Sequence, residues 1–530
     1  MAETSSAATA AGRGARTAAT HAVPIAILDF GSQYAQLIAR RVRERHVYSE
    51  ILRHDTPLAE LRRRGVRGVI LSGGPASVLS SGAPRPDPAL LDSGIPVLGL
   101  FYGMEIVALM LGGRIERGTM REYGLAQVEV ETAGDVLAGL HAFPAWMSHG
   151  DSVAELPADL VPLGRTAGCR FAAARHRTRP IYLLQFHPEV VHTQDEGKIL
   201  DNFLFRVAGV EAGWTMENFA AAAVLKIREE APEGTAICAL SGGVDSSVAA
   251  VLAGEALGSR LISIFVDHGL LRAGEAEVVT RDLEDRFHLR VRHVNAADLF
   301  LERLAGIEDP EEKRKRIGAA FIEVFEEEAR HLDGARYLIQ GTLYPDVIES
   351  AAAGGPAATI KSHHNVGGLP EKMGLTLIEP LRELFKDEVR AVGRVLGIPE
   401  SVLGRHPFPG PGLAVRVIGA VDRENLAVAR RADDIFIKEL HASGLYDTIW
   451  QAFAVLLPVK TVGVMGDERT YEQVIALRAV TSTDGMTADW GRLPLDFLGR
   501  VANRIVNEVP GVNRVVYDLS SKPPATIEWE

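Results

Sequence analysis

The stretch Ser241-Gly242-Gly243-Val244-Asp245-Ser246-Ser247 lies between an apolar run, Ala236 to Leu240, and a helical pattern from Val248 to Leu257. It reads as strand, anion-binding loop and helix. The glycines let the backbone approach a polyanion closely, and the helix start offers unpaired N–H groups at the positive end of its dipole. Ser241, Ser246 and Ser247 add short hydroxyl donors. The loop lacks the Lys-Ser/Thr ending of phosphate loops that serve cleavage at the γ-phosphate. Asp245 is acidic beside a polyanion, so it either meets Mg²⁺ or caps the following helix.

Further chemistry-bearing residues follow the next apolar runs. Asp267, His268, Gly269 and Arg272 stand just after Leu261 to Val266. A small-residue piece, Ala351 to Pro356, precedes Thr359-Ile360-Lys361-Ser362-His363-His364. Such a segment suits a lid that excludes water and brings Lys361 to developing charge. Adjacent histidines on one strand are poor zinc ligands, and no other Cys or His spacing supports a metal.

The elements that must position these groups repeat a strand–helix alternation. Pro24 to Phe30, Gly68 to Leu71 and Ile95 to Leu100 read as strands; between the first two, Tyr34, Leu37, Ile38 and Val42 mark one helix face. Leu261 to Val266, Val291 to Asn295 and Tyr337 to Gln340 repeat the pattern after the loop. The expected class is α/β: two doubly wound, mostly parallel-sheet domains and a smaller C-terminal α+β domain. Ligands of such sheets sit at the carboxyl ends of the strands. The expected partition is a disordered leader over 1–22, domains over 23–208 and 213–405, and a third over 406–530. The last opens on the Pro/Gly run His406 to Gly412, which fits neither helix nor central strand. Its tail, Lys522 to Glu530, is either dispensable or pinned to a ligand.

Composition bounds the function. The chain has 530 residues, 47% hydrophobic and 24% charged, which is ordinary for a globular protein of several domains. A net charge of −12 argues against a nucleic-acid surface while allowing a local phosphate pocket. Cys169 and Cys238 are the only cysteines, so no disulfide framework is expected and the chain reads as cytoplasmic. No stretch approaches membrane-spanning length.

The pieces LDFGSQY, LSGGP, PVLGLFYGM, MSHGDSV and QFHPEV stand in the order seen in class I glutamine amidotransferases, and SGGVDSS resembles the pyrophosphate loop of enzymes that adenylate a carbonyl oxygen. QGTLYPDVIES, IKSHHNVGGLP, LFKDEVR, HPFPGPG and KPPATIEWE complete a resemblance to the glutamine-hydrolysing GMP synthase family over about residues 23 to 530. The resemblance implies ATP and Mg²⁺ as cofactors, adenylation of XMP, displacement of AMP by ammonia, and a homodimer formed by the C-terminal domain. Carried over position by position, ATP would meet Ser241, Gly242, Gly243, Val244, Asp245, Ser246 and Ser247, and XMP would meet Arg272, Gln451, Lys522, Ile527 and Glu528. His187 and Glu189 take the places of the triad His and Glu, and Gly73 and Gly74 those of the oxyanion loop. The nucleophilic cysteine is replaced by Phe101 between Gly99 and Gly103, and the glutamine four residues on by Glu105. A benzyl group has no lone pair and forms no thioester, so glutamine is a doubtful donor and ammonia the expected one. Amination of a modified purine nucleotide, use of another amine, and nucleotide binding without turnover stay open as alternatives.

Overall fold

A computed structural model describes residues 23–530 other than 33, 133, 191–192, 194–195, 333, 353–373, 466–467 and 483–486. The expected leader, 1–22, and the expected lid with Lys361 lie outside the described residues. The chain divides into two compact units, one ending at Asn218 and one beginning at Phe219.

The first unit is built on a ten-stranded sheet. Five of its strands run parallel, in the order Ser49–Arg53, Ile25–Asp29, Gly68–Leu71, Val97–Leu100 and Ile181–Leu184. The four strands inside the edge are largely apolar because both faces are covered; Ile25 to Leu28 and Val69 to Leu71 have no exposed surface, whereas the edge strand Ser49–Arg53 is mixed and partly exposed. The helix Ala35–Arg43 covers one face with Ala35, Ile38, Ala39 and Val42, close to the apolar stripe read from sequence. The sheet continues antiparallel through Ala173–His176, Leu160–Arg165, Arg114–Val130, Ala142–Glu155 and Phe186–His187. Strand–helix alternation gives no sign of this half. Its long hairpin carries alternating charged residues and shifts register between Arg117 and Glu122.

The second unit begins with an all-parallel sheet in the order Val291–Asn295, Leu261–Asp267, Thr235–Leu240, Ala335–Ile339 and Thr376–Ile378. A second sheet pairs Gln451–Met465 antiparallel with Glu468–Thr481, which also meets Asp489–Trp490 and, in parallel, Val512–Tyr517. The helices Arg423–Ala442 and Leu495–Glu508 pack against it through Phe436, Phe497, Val501 and Ile505. Asp422 starts the first of these by accepting from the Asn425 amide at 2.8 Å.

Glu528 and its neighbours are held by protein groups. Arg416 and Arg478 have no exposed surface. Arg416 donates to Glu528 at 2.9 and 3.2 Å, while Arg478 reaches the carbonyls of Ser520, Thr526 and Ile527 at 2.5 to 3.3 Å. Lys313, also without exposed surface, donates to Ala414 O, Val417 O and Glu530 Oε2 at 3.2, 2.8 and 2.6 Å. All three ammonium protons are therefore used. Removing one member of such a buried set leaves an uncompensated charge. Lys313→Met is expected to lower stability by about 3 kcal/mol, read by urea unfolding. Arg303→Met, which breaks a half-exposed pair with Glu323, is expected to change it by less than about 1 kcal/mol.

Candidate functional site

The first candidate site lies at the carboxyl ends of the parallel strands of the first unit. Phe101 follows Val97–Leu100 and precedes the helix Tyr102–Met110, with φ 49° and ψ −108°. This sparsely populated backbone costs a non-glycine residue about 1–3 kcal/mol. Close packing enforces it. A Cβ on Gly99 would stand 2.7 Å from Gly103 O, and one on Gly103 would stand 2.6 Å from Leu71 O. The elbow therefore persists on its glycines whatever side chain stands at its tip.

His187 and Glu189 are buried, with Nδ1 2.6 Å from Oε1. Thr193 Oγ1 donates to His187 O at 2.5 Å, and Arg41 Nε donates to Glu189 O at 2.9 Å, so both backbones are anchored. Gly73 lies alongside, since a Cβ there would come 3.8 Å from Phe101 Cβ. The acid–base pair, the elbow and the loop thus come together around position 101. The Phe101 ring lies across His187 with centroids 3.4 Å apart and planes inclined by 36°. The imidazole faces an aromatic hydrocarbon where nucleophilic catalysis needs a thiolate. Neither cysteine substitutes. Both are buried, and burial pushes each thiol up to about 12, which keeps it protonated at neutral pH.

Glu105 stands in the first turn of the helix Tyr102–Met110. It is buried and accepts from Gln185 Nε2 at 2.9 Å, and desolvation pushes its carboxyl up to about 7. At neutral pH the folded protein therefore carries a large fraction of the neutral acid.

The second candidate site is the loop after Thr235–Leu240. Gly242 has φ 79°, and the helix Val244–Leu257 starts immediately. Ser241 and Gly243 are exposed, whereas Gly242, Val244 and Ser247 are buried. Ser246 Oγ and Ser247 Oγ both bond Gly243 O, at 3.1 and 2.9 Å, and Ser241 Oγ lies 3.1 Å from Ser246 Oγ. The hydroxyls thus brace the loop in a shape that leaves its rim open. Gly341 passes so close that a Cβ there would stand 3.1 Å from Asp245 C and O. Asp245 Oδ2 is 3.5 Å from Lys386 Nζ, while Oδ1 is buried without a hydrogen-bond partner. An orphaned carboxylate oxygen beside an anion loop fits Mg²⁺ held jointly with phosphate oxygens. Among the described residues no group of three or more His, Cys, Asp or Glu could hold a metal without such help.

A third cluster joins residues distant in sequence. Gln451 Nε2 donates to Glu528 Oε1 at 2.6 Å and to Pro407 O at 3.0 Å. Arg272 Nη2 donates to Ala452 O at 2.9 Å, and its Nε is 3.1 Å from Asp433 Oδ2. Ile527 packs with Phe453, Val455 and Ala476, and Lys522 pairs backbone to backbone with Ala488. By contrast His268 points into the core against Phe300 and Phe321, and burial drives it down to about 4.

Residues 26–207 match the family described as glutamine amidotransferase class-I, and residues 438–529 match the GMP synthase C terminal domain. The glutamine-hydrolysing GMP synthase of Agrobacterium fabrum is 55% identical over 524 residues, spanning 97% of this chain and 100% of its own. That of Symbiobacterium thermophilum is 56% identical over 508 residues, spanning 96% and 99%. The chain belongs to the GMP synthase family.

Against that family frame, sequence reasoning passed over several groups around the sites. Lys386 beside Asp245 stands in the LFKDEVR piece, whose lysine was the available signal. Arg416 and Arg478 each interrupt an apolar run, GLAVRV and VIALRAV, and an arginine so placed signals a buried, paired cation. Arg405 bonds Gly242 O at 3.3 Å yet is unremarkable in sequence.

The Glu105 carboxyl generates a pH prediction. Below about 4.5, its ordinary value, it is protonated in folded and unfolded chains alike. Between there and about 7 the unfolded chain releases a proton that the folded one keeps, so stability falls as pH rises, and the loss is complete above about 7. Glu105→Gln is therefore expected to stabilise the first unit by on the order of 3 kcal/mol at pH 8. Little gain is expected at pH 4.5, and melting temperatures across this range check the slope.

Proposed function

We propose that the protein is an AMP-forming carbon–nitrogen ligase that aminates XMP to GMP with free ammonia. The observation that carries this reading is the braced Ser241–Ser247 loop, open at its rim, in a chain of the GMP synthase family. The XMP 2-oxygen attacks the α-phosphorus of ATP and pyrophosphate leaves. Ammonia then adds at C2, AMP departs with the oxygen, and loss of protons gives GMP. The ring carbonyl resists ammonia until its oxygen becomes a good leaving group, so adenylation must come first.

In this assignment the loop amides and Ser241 hold the phosphates, in a loop that Ser246 and Ser247 brace through Gly243 O. Asp245 holds Mg²⁺, which supplies charge neutralisation at the pyrophosphate when bound. Lys361 is the cation assigned to the charge that develops in the reaction. Arg272, Gln451, Lys522, Ile527 and Glu528 receive XMP, a reading supported by the contacts that draw Gln451, Glu528 and the backbone next to Arg272 together. Two free, buried cysteines fit a cytoplasmic protein. Exposed Val464, Tyr471 and Leu519 give the 406–530 segment an apolar surface suited to a homodimer.

The amidotransferase-like half does not hydrolyse glutamine in this reading, because His187 and Glu189 have no nucleophile to activate. Loss of that group removes about 10⁴-fold or more of the rate. A second reading, amination of a modified purine nucleotide, shares every step up to the identity of the base.

With ammonium as sole nitrogen source, XMP and ATP are expected to give GMP, AMP and pyrophosphate in equal amounts. With glutamine alone neither glutamate nor GMP should form. Stoichiometric ADP would overturn the loop assignment, and glutamate release by the unchanged protein would overturn the inactive half. Phe101→Cys with Glu105→Gln is expected to gain glutaminase activity. Sedimentation at micromolar concentration should show a dimer, and a monomer there would remove that assignment.

A further inference from the structure

The Gly242 carbonyl accepts from Arg405 Nη1 at 3.3 Å. In a trans peptide the C=O and the following N–H point in opposite directions. An arginine holding Gly242 O therefore turns the Gly243 N–H away from itself. That N–H meets Ser241 Oγ only at 3.4 Å, a long contact that leaves it available to a phosphate oxygen. Arg405 is itself placed from two sides. Arg390 Nη2 donates to its carbonyl at 3.4 Å, and Glu275 Oε1 lies 3.6 Å from its Nη1.

Glu275 makes the second half of the connection. It is buried in the first turn of the helix Glu275–Phe287, and its other oxygen, Oε2, accepts from the Arg272 amide at 3.1 Å. Arg272 in turn bonds Ala452 O, next to Gln451. One carboxylate thus ties the arginine that orients the loop to the backbone of a residue in the Gln451–Glu528 cluster. Of its two partners, Arg272 is three residues away on the preceding loop and Arg405 lies far along the chain.

We propose that Arg405 and Glu275 are positioning residues that fix the pyrophosphate loop for a nucleoside triphosphate and register it against the purine-monophosphate pocket. The inference rests on the function assigned above, but its first arm concerns ATP alone. Arg405 acts on the triphosphate through Gly242, and Glu275 acts on the loop through Arg405 and on the monophosphate through Arg272.

The test is calorimetric titration of the full-length protein with Mg-ATP and, separately, with XMP, for wild type, Arg405→Lys, Arg405→Gln, Glu275→Gln and the Arg405→Gln/Glu275→Gln pair. Arg405→Gln is expected to weaken Mg-ATP by about tenfold or more, the scale of a charged hydrogen bond, and to leave XMP unchanged. Arg405→Lys, which still donates to Gly242 O, should recover most of the loss. Glu275→Gln should weaken both ligands, and the pair should bind Mg-ATP no more weakly than Arg405→Gln alone. A merely structural role would lower the melting temperature and the bound stoichiometry and leave both Kd values in place; that result overturns the proposal. So do additive losses for Mg-ATP in the pair. If wild type binds Mg-ATP but not XMP, the assigned substrate falls, while the Arg405 comparison still decides the loop's orientation.

Discussion

Arg416 and Arg478 are cations without solvent, and the second unit cannot be assembled without compensating them. Removing a guanidinium from water costs several kcal/mol, so each must find carboxylates and carbonyls inside the fold. The segment from Asp518 to the end of the chain supplies most of them. Glu528 meets Arg416, while Asp518 and three tail carbonyls meet Arg478. Aromatic faces add to this, with Phe453 4.2 Å and Phe408 5.0 Å from the Arg416 guanidinium carbon. The tail is thereby part of the core. Its docking also determines where Glu528 and Gln451 stand.

The first unit rests on a different constraint. Gly99 and Gly103 leave no room for a Cβ, so the strand-to-helix elbow and its strained tip are dictated by packing of backbone on backbone. Nothing in that geometry requires a thiol. Phe101 can therefore occupy the tip with φ 49° while the imidazole and carboxylate behind it keep a 2.6 Å contact. Glu189 Oε2 is left without a hydrogen-bond partner. A buried unsatisfied oxygen is a cost of about 1–3 kcal/mol, tolerated where the rest of the site is over-determined.

Much of this was legible in the sequence where local pattern and tertiary demand agree. The loop at Ser241 announced itself because strand, glycines, serines and helix follow one another within a dozen residues. The central parallel strands did so because double-sided burial makes them continuously apolar, unlike the mixed edge strand Ser49–Arg53. The antiparallel hairpin Arg114–Val130 with Ala142–Glu155 did not, since one face of each strand is polar and a register shift breaks the alternation. Lys313 was invisible for the opposite reason. It sits in the charged run Glu311 to Arg316, and only the fold shows that this one cation points inward to Glu530. The tail reads in sequence as either dispensable or pinned to a ligand; in the fold, buried side chains from earlier segments hold it, through Arg416, Arg478 and Lys313.

The charge state of Glu105 shows why position in sequence does not settle chemistry. An acid in place of an amide would be a net repulsion to a carboxylate-bearing ligand if it were ionised. Burial instead raises the carboxyl to about 7, and Gln185 offers an N–H to its oxygen. In its neutral form the group has the shape and nearly the polarity of a carboxamide, and it carries no net charge at slightly acid pH. What position 101 lacks is a lone pair, which nucleophilic attack requires. What pH changes at position 105 is the charge of one buried carboxyl, whereas the strained backbone at position 101 is set by packing and does not titrate.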